Sequence, residues 1–427
     1  MQRDAHPAGS FPDAPFLPAA PRRTAAAAPP ALAKLLSVAA LALALSPAAA
    51  QSAGGGDSSG GSEAALSGRG APGESPSLAT GGSVLGQAYA NYAGSLAPQA
   101  GDFGYGSSTR LGLTLDAKGS RARASASLEA AVLDGAAAQA AWLLIEAGAV
   151  PTDELFVPAQ RPAGGPDLIA AARVRTLYVK YDADWASFTA GRQVINYERG
   201  ALWSPTDIFT ELDLTGLSPE RLGSDALRLE LPLGATGGLD LAAAPATVLA
   251  QGLYAARLSG LVLGVDSALA AARDGAAETS SVGADCKFDL GASFYGDALY
   301  SLPDSGAAGI WRAAAGGDWG TGDFILAAEY YYNGGGAAAD PLFPDAQNLY
   351  GSLTWRASEF VSVSAVGIWD PIGESGSATL LGSISAAQNA SLSLFGKAAW
   401  GASSTAALGQ SGAALIAQAG AALEIFF

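Results

Sequence analysis

Seven basic residues fall within a stretch of 56 residues and are its most distinctive chemical feature. They are Arg173, Arg175, Lys180, Arg192, Arg199, Arg221 and Arg228. Acidic residues are interleaved with them, at Asp207, Glu211, Asp213, Glu220 and Asp225. Opposite charges at this density can pair with one another, or they can face one another across water and orient a charged or dipolar molecule. The residue types alone leave both uses open.

The inventory of reactive side chains argues against most enzyme mechanisms. His6 is the only histidine, and it lies in a predicted leader, so neither Ser-His-Asp hydrolysis nor a histidine metal site is expected. Cys286 is the only cysteine, which excludes an intramolecular disulfide. We therefore predict a protein that is not an enzyme and that uses no cofactor and no metal.

Composition and net charge narrow the class further. The net charge of −16 argues against nucleic acid as a partner, because phosphate binding requires basic patches. The mean hydropathy is +0.23, with 55 glycines and 15% charged residues. Outside the N-terminus, no apolar run approaches the ~20 residues that a spanning helix requires. Mild hydrophobicity without helical spans is typical of alternating strands.

The first 80 residues are predicted to be a targeting signal and a leader. Basic residues precede an apolar stretch over residues 35–45, and small residues follow it, which predicts a signal peptide over residues 1–50 with cleavage before Gln51. An uncleaved anchor is the alternative, but the apolar stretch is short for a spanning helix. Cleavage would change the net charge from −16 to −18, because the leader carries four basic and two acidic residues. Residues 51–80 are Gly/Ser-rich and predict a flexible leader, and residues 81–427 form the predicted folded part.

Apolar and polar side chains alternate along the remaining chain. Residues 224–233 show this most clearly, since four leucines share one face while Arg228 and Glu230 share the other. Charged residues at the centre of a strand need water on their side, because an unpaired buried charge is very costly. A sandwich with an apolar core and a barrel with a wet lumen both satisfy this requirement.

Strand length, aromatic placement and turn lengths favour a barrel that spans a membrane. The strand-like runs are about nine to twelve residues long, which suits tilted membrane strands. Phe324 and Tyr332 share a face eight residues apart, which gives ~20 Å along the membrane normal for a tilted strand, close to the expected apolar band. Short turns are predicted at Ser259-Gly260, 357–359 and 387–389, and long connections at 334–346 and 370–378. These features predict an all-β, transmembrane antiparallel β-barrel of about 16–18 strands in the lipid of the outer membrane.

The carboxyl-terminal residues support the same fold. Leu415, Leu423, Ile425 and Phe427 share one face, and the last of them is an aromatic terminal residue. This ending resembles the signal by which the outer-membrane assembly machinery recognises its barrels. The resemblance implies that the barrel-assembly machinery is a partner, through Phe427.

The stretch from Gly191 to Gly234 carries a second resemblance. Its sequence, GRQVINYERGALWSPTDIF followed by RLGSDALRLELPLG, resembles a recurrent pattern of porin-like outer-membrane proteins, including alginate-export-type barrels. The matching residues are Gly191-Arg192-Gln193, Gly200, Pro205, Asp207, Phe209 and Asp225-Ala226-Leu227-Arg228. The match covers about forty residues and implies a long inward-folded segment between two wall strands. Long insertions in compact β-structure are uncommon and often functional.

The resemblance implies that arginines on the wall face acidic residues on the inserted segment and form a charged pore constriction. The predicted constriction residues are Lys180, Arg192, Arg199, Arg221, Arg228, Asp207, Glu211 and Asp213. Such a constriction filters by size and orients charged solutes, which predicts passive diffusion of small hydrophilic solutes. Two alternatives remain open. The charges can do no more than pair with each other, and the barrel can be plugged and serve a structural or surface-binding role.

Overall fold

Eighteen antiparallel strands close into a ring. The computed structural model describes residues 77–94, 103–146, 163–165, 167–197, 199–209, 212–213, 220–336, 339–340, 343, 345–401 and 415–427. Nineteen strands form one sheet, and one of them, Ala163–Gly165, pairs with a single neighbour and stands outside the ring. The first and last strands pair with each other, so the ring has no free edge. The predicted antiparallel barrel is confirmed, and eighteen strands lie within the expected number.

The ring strands follow one another in chain order. Their bounds are β1 Ser77–Gly94, β2 Phe103–Lys118, β3 Ala122–Gly135, β4 Leu168–Asp182, β5 Ser187–Gln193, β6 Ser224–Leu233, β7 Gly237–Ala244, β8 Leu253–Val262, β9 Val265–Asp274, β10 Thr279–Asp289, β11 Ser293–Pro303, β12 Ile310–Thr321, β13 Phe324–Asn333, β14 Gln347–Arg356, β15 Val361–Asp370, β16 Ser375–Ala387, β17 Ala390–Trp400 and β18 Leu415–Phe426. β1 begins four residues before the predicted start of the folded part. The predicted signal peptide and most of the predicted leader lie outside the described residues.

The connections differ in length at the two ends of the barrel. At one end, eight connections of two to four residues join successive strands, such as 263–264 between β8 and β9. At the other end the connections run from four to thirty-two residues, and the longest are 136–167 and 194–223. Short turns at one end and longer loops at the other are the construction of outer-membrane barrels.

Two of the predicted connections are wrong. Ser259-Gly260 lies inside β8, and the chain turns instead at Leu263-Gly264, where both residues have positive φ (54° and 86°), as a two-residue hairpin turn requires. The predicted long connection 370–378 contains only four residues outside strands, 371–374. It closes tightly because the Asp370 carboxylate accepts hydrogen bonds from the backbone N–H groups of Ile372 and Gly373.

The two faces of the strands differ in chemistry. On one face large apolar side chains are exposed, including Leu227 at 57%, Leu269 at 62% and Leu380 at 57%. A closed barrel in lipid turns this face outward, so we call it the outer face and the opposite one the inner face. Alternation places Cys286 on the outer face, because it lies four residues along β10 from Val282, which is exposed on that face. The exposed apolar face and the closed ring confirm the predicted outer-membrane location.

Backbone pairing continues to the last residue of the chain. β1 and β18 pair from Gly94 with Leu415 to Ser83 with Phe426. Gly82 and Phe427 then exchange backbone hydrogen bonds of 2.8 and 2.9 Å. A Cβ at Gly82 would lie 2.8 Å from the Phe427 ring, so the glycine makes room for the terminal aromatic side chain.

One helix, α1, follows β3 and was not predicted from the sequence. It spans Ala136–Glu146 and begins directly after Gly135, whose φ of +60° redirects the chain. Ala138 is fully buried, and the Gln139 side chain donates a hydrogen bond to Asp167 at 3.3 Å. No helix among the described residues has the length and apolar character needed to cross a membrane.

Candidate functional site

The connection between β5 and β6, residues 194–223, makes the most extensive polar contacts in the described structure, and we call it the β5–β6 segment. Its two ends are joined where β5 stops and β6 starts. Arg192 donates to both oxygens of Asp225, at 2.9 and 3.0 Å, and Gln193 donates to the Ala226 carbonyl at 3.0 Å. The Arg192 and Asp225 side chains are only 6% and 8% exposed. One bidentate ion pair therefore joins the strand residues at the two ends of the segment.

Lys180 and Arg228 share an ion-pair network on the inner face of β4, β6 and β7. The Lys180 ammonium lies 2.9 Å from Glu230, and the Arg228 guanidinium lies 3.4 Å from the same carboxylate. Arg228 also donates to Asp240 through Nε at 2.9 Å and Nη2 at 2.5 Å. Neighbouring strands hold these groups, so their geometry follows from strand register rather than from the segment.

Three apolar side chains of the segment pack on the inner face of β6 to β8. Ile195, Tyr197 and Phe209 are buried against Ala226 and Ala242. Small residues at these two wall positions let the larger side chains approach the sheet. The Arg257 guanidinium lies 5.2 Å from the Tyr197 ring centroid, within the range of a cation–π contact. Burial raises the pKa of the Tyr197 phenol above its usual range, and the nearby Asp240 carboxylate adds to the shift.

Arg199 joins the segment to two wall carboxylates. Its Nη atoms donate to both oxygens of Asp266, at 2.6 and 2.9 Å, and its Nε donates to Asp285 at 2.7 Å. Asp285 is fully buried and also accepts two 2.9 Å hydrogen bonds from Arg257. Burial by itself lowers the pKa of Arg199, but the hydrogen bonds to Asp266 and Asp285 outweigh it, so the pKa is raised and the side chain stays charged. Breaking such a buried pair costs about 3–5 kcal/mol.

Glu329 on β13 binds three successive backbone amides of the segment. Its carboxylate accepts hydrogen bonds from the N–H groups of Ala201 (2.7 Å), Leu202 (3.0 Å) and Trp203 (2.8 Å). The Tyr295 hydroxyl donates a further bond of 3.0 Å to it. Glu329 is 3% exposed, so these four donors satisfy a carboxylate that is removed from water.

Gly200 is required for this close approach. A Cβ at residue 200 would lie 2.1 Å from the Trp203 carbonyl oxygen and 2.8 Å from Glu329 Oε1. Any larger residue would therefore push the amides away from the carboxylate. Gly200 is one of the residues that carry the resemblance to porin-like barrels. Its contact with Glu329, which lies 129 positions further along the chain, explains why a glycine is needed there.

Asp297 on β11 is a second carboxylate anchor for the segment. It accepts hydrogen bonds from the hydroxyls of Ser204 (2.5 Å) and Thr206 (2.8 Å), and from the Thr206 N–H at 3.1 Å. Thr206 is fully buried, and its methyl group packs against Gly283 of β10. A Cβ added at Gly283 would lie only 2.7 Å from this methyl group. The strand glycine allows the segment to lie flat against the wall.

Trp203 fills an aromatic cluster on the inner face of β13 and β14. Its ring stacks on Tyr331 at 5.2 Å and meets the rings of Phe343 and Tyr350 edge-on, at 5.2 and 6.2 Å. Trp203 is 3% and Tyr331 is 2% exposed. Burial of a tryptophan of this size makes the cluster a second apolar contribution to holding the segment, beside the contacts of Ile195, Tyr197 and Phe209.

The predicted constriction residues are separated into several groups. Lys180 and Arg228 meet on the inner wall, whereas Arg199 lies with Asp266 and Asp285. Alternation puts Asp225 on the face of Leu227, so the Arg192–Asp225 pair is set apart from Arg228. Asp207 accepts a hydrogen bond from the Tyr197 N–H at 3.2 Å. Arg221 and Asp213 belong to two short paired strands, Glu220–Arg221 and Leu212–Asp213. Glu211 lies outside the described residues.

Four wall carboxylates bind or neighbour the segment and are not apparent from the local sequence. Asp266, Asp285, Asp297 and Glu329 were not predicted as site residues. All four occupy inner-face positions, which alternation could have identified. Nothing in the local sequence indicates which of them meets the segment. Among the described residues, no group of three or more His, Cys, Asp or Glu side chains could hold a metal ion.

A different wall surface lies on β14 to β17. Eleven hydroxyl side chains occupy its inner face: Ser375 at the start of β16 is buried and donates a hydrogen bond to Asp345, and the other ten are not buried, namely Ser352, Thr354, Ser362, Ser364, Ser377, Thr379, Ser383, Ser385, Ser391 and Ser393. We call the surface of these ten residues the hydroxyl wall. Two pairs, Thr354 with Ser364 and Ser383 with Ser393, are 2.9 Å apart. Within the ranges that the structure describes, no hydrogen bond joins these ten residues to the β5–β6 segment.

Solved structures with the same fold are outer-membrane porins. OccAB4 of Acinetobacter baumannii is similar with a TM-score of 0.52 and 7% identity, over 82% of this chain and 97% of that one. OccK5 (OpdH) of Pseudomonas aeruginosa gives 0.52 and 7%, over 82% and 98% of the two chains. The outer-membrane protein OpdK of Pseudomonas aeruginosa gives 0.51 and 8%, over the same shares. No protein-family model and no curated protein sequence matches this chain.

The fold defines the class of protein. The chain is a porin-like outer-membrane β-barrel of eighteen strands, as the sequence resemblance implied. Identities of 7–8% show the fold alone.

Proposed function

We propose that the protein is a passive outer-membrane channel for small hydrophilic solutes, and that the β5–β6 segment lies in the lumen and forms its constriction. The observation that carries the proposal is the set of bonds from residues 199–206 to Asp285, Asp297 and Glu329. These carboxylates occupy inner-face positions on β10, β11 and β13. We infer that the segment, which starts at β5, reaches them by entering the barrel.

The contacts extend along about half of the wall. They begin at β6 with Ala226 and end at β14 with Tyr350. In this proposal the segment narrows the lumen from one side, and the charged residues of the constriction fix its position. Charge pairing and constriction, which the sequence left as alternatives, are then two consequences of one arrangement. Phe427, paired with Gly82 at the end of the barrel, is the proposed recognition element for the assembly machinery.

Single-channel recording in a planar bilayer tests the proposal. The protein purified from outer membranes should give stable current steps and a definite reversal potential under a salt gradient. If protein with heat-modifiable gel mobility, and hence folded, gives no current, the barrel is plugged and the channel proposal is wrong.

A double variant tests whether the segment forms the constriction. Asp297→Asn with Glu329→Gln removes the negative charge from both anchors, so the segment should loosen, and the current should become noisy with frequent partial closures. Asp318→Asn is the matched control, since Asp318 is an inner-face carboxylate on β12 with no hydrogen bond to the described part of the segment. Identical recordings from the double variant and the control would contradict the proposed role of the segment.

A further inference from the structure

The two halves of the inner wall differ in how much surface is left for a solute. On β7, β10, β11 and β13 the segment covers inner-face residues, and Ala242, Asp285, Asp297 and Glu329 are each no more than 4% exposed. On the hydroxyl wall all ten side chains are partly or fully exposed. The residues that the segment buries and the ten accessible hydroxyl groups of β14 to β17 therefore lie on different parts of the inner wall.

The hydroxyl wall carries little charge in its central part. Charged inner-face residues occur near the strand ends, Arg356 on β14 and Asp370 on β15. Asp370 is buried and bonded to its own turn. Between these ends, the described strands β14 to β17 have one charged inner-face residue, which is Lys397 of β17. It lies 6.0 Å from the Phe395 ring centroid.

From this asymmetry we propose that the solute route is eccentric and runs along the hydroxyl wall, and that it favours small neutral solutes bearing several hydroxyl groups. The inference rests on the proposed channel function and deepens it by naming the surface and the solute class. Serine and threonine hydroxyls both donate and accept, so they can replace the water around a sugar or polyol with little loss of hydrogen bonds. The ion pairs of Arg199 contribute little to selection, because Arg199 is only 9% exposed and faces its own carboxylates.

Cysteine labelling tests the position of the route. In a Cys286→Ala background, Ser364→Cys and Ser393→Cys place thiols on the hydroxyl wall, whereas Ala242→Cys and Ala314→Cys place them under the segment, where the alanines are 4% and 3% exposed. A charged, water-soluble methanethiosulfonate should label the first pair at least about tenfold faster, because the second pair requires the segment to open locally. Each modification on the hydroxyl wall should also lower the current in a step.

The labelling readouts separate the two proposals. Equal labelling of the two pairs, or faster labelling under the segment, would overturn the eccentric route. Mass spectrometry measures labelling whether or not the protein conducts. If the thiols on the hydroxyl wall are labelled but the protein gives no current, the channel function is wrong. The finding that the hydroxyl wall is accessible would still hold, but a solute route along it would be excluded.

Solute uptake by reconstituted vesicles tests the solute class. Glucose, gluconate and glucosamine have similar size and differ in charge, and glucose should enter fastest. Faster entry of either charged sugar would overturn the proposed preference.

A pair of matched variants links this preference to the hydroxyl wall. Ser393→Ala breaks the 2.9 Å hydroxyl pair with Ser383 and should slow glucose entry several-fold. Ser281→Ala breaks the 2.8 Å pair with Ser301 on β10 and β11, on a different part of the inner wall, and should leave the rate unchanged. If both variants slow entry equally, the hydroxyl wall does not define the route.

Discussion

At the scale of single residues, the charges of this chain are arranged for pairing. Arg192, Arg199, Arg228 and Lys180 each lie against at least one carboxylate at 2.5–2.9 Å. Sequence interleaving of basic and acidic residues indicated such pairing, but it suggested partners within residues 173–228. Arg199 instead pairs with Asp266 and Asp285, which lie 67 and 86 positions away. Alternation could place those carboxylates on the correct face and could not choose them as partners.

Arg199→Met should therefore destabilise the folded barrel substantially. It removes both ion pairs and leaves Asp285 with Arg257 alone, so the free energy of unfolding in denaturant should fall by about 3 kcal/mol. Arg273→Met is the matched control, because Arg273 and Asp304 form an equally short but exposed pair, with side chains 40% and 47% exposed. This control should change the free energy little, since exposed pairs are screened by solvent. Equal losses in both variants would show that burial of Arg199 does not strengthen its contacts.

At the scale of elements, the described residues of the β5–β6 segment include little regular structure, and groups of the wall hold them in place. Three of its consecutive N–H groups bind one carboxylate, and its tryptophan stacks on a wall tyrosine. A loop held in this way also needs space close to the wall. Gly200 in the segment and Gly283 on the wall provide this space, because neither has a side chain. The sequence identified the segment as unusual because alternation stops in it, and that interpretation required no knowledge of its partners.

Gly200→Ala should destabilise the segment selectively. The added methyl group would collide with the Trp203 carbonyl and Glu329, so the free energy of unfolding should fall by about 1–3 kcal/mol. Gly351→Ala on β14 provides the control, because nothing lies within 4 Å of its added Cβ, and it should change stability by roughly 0.5 kcal/mol or less. Denaturant unfolding followed by tryptophan fluorescence measures both. A neutral Gly200→Ala would mean that the three amides do not lie as close to Glu329 as the structure places them.

At the scale of the whole molecule, closure of the ring decides which surface meets lipid and which meets water. Cys286 reports on this directly, because it is the only cysteine and lies on the outer face of β10. In outer-membrane vesicles, an uncharged lipid-soluble maleimide should label it readily, whereas a charged methanethiosulfonate should not. After unfolding in denaturant both reagents should react. Rapid reaction of the charged reagent with the folded protein would place Cys286 in the lumen and reverse the assignment of the two faces.

The sequence by itself determined the strands, their two faces and the closed ring. These follow from a period of two residues in apolar character, turn residues at regular intervals and the physical requirement that β-structure in lipid has no free edge. The position of the segment was decided only by the tertiary structure. Glu329 lies 126 positions beyond Trp203, and Asp297 lies 91 positions beyond Thr206, so no local pattern links them. They meet because strand pairing around the closed ring carries the inner-face residues of β11 and β13 to positions where they contact the segment that follows β5.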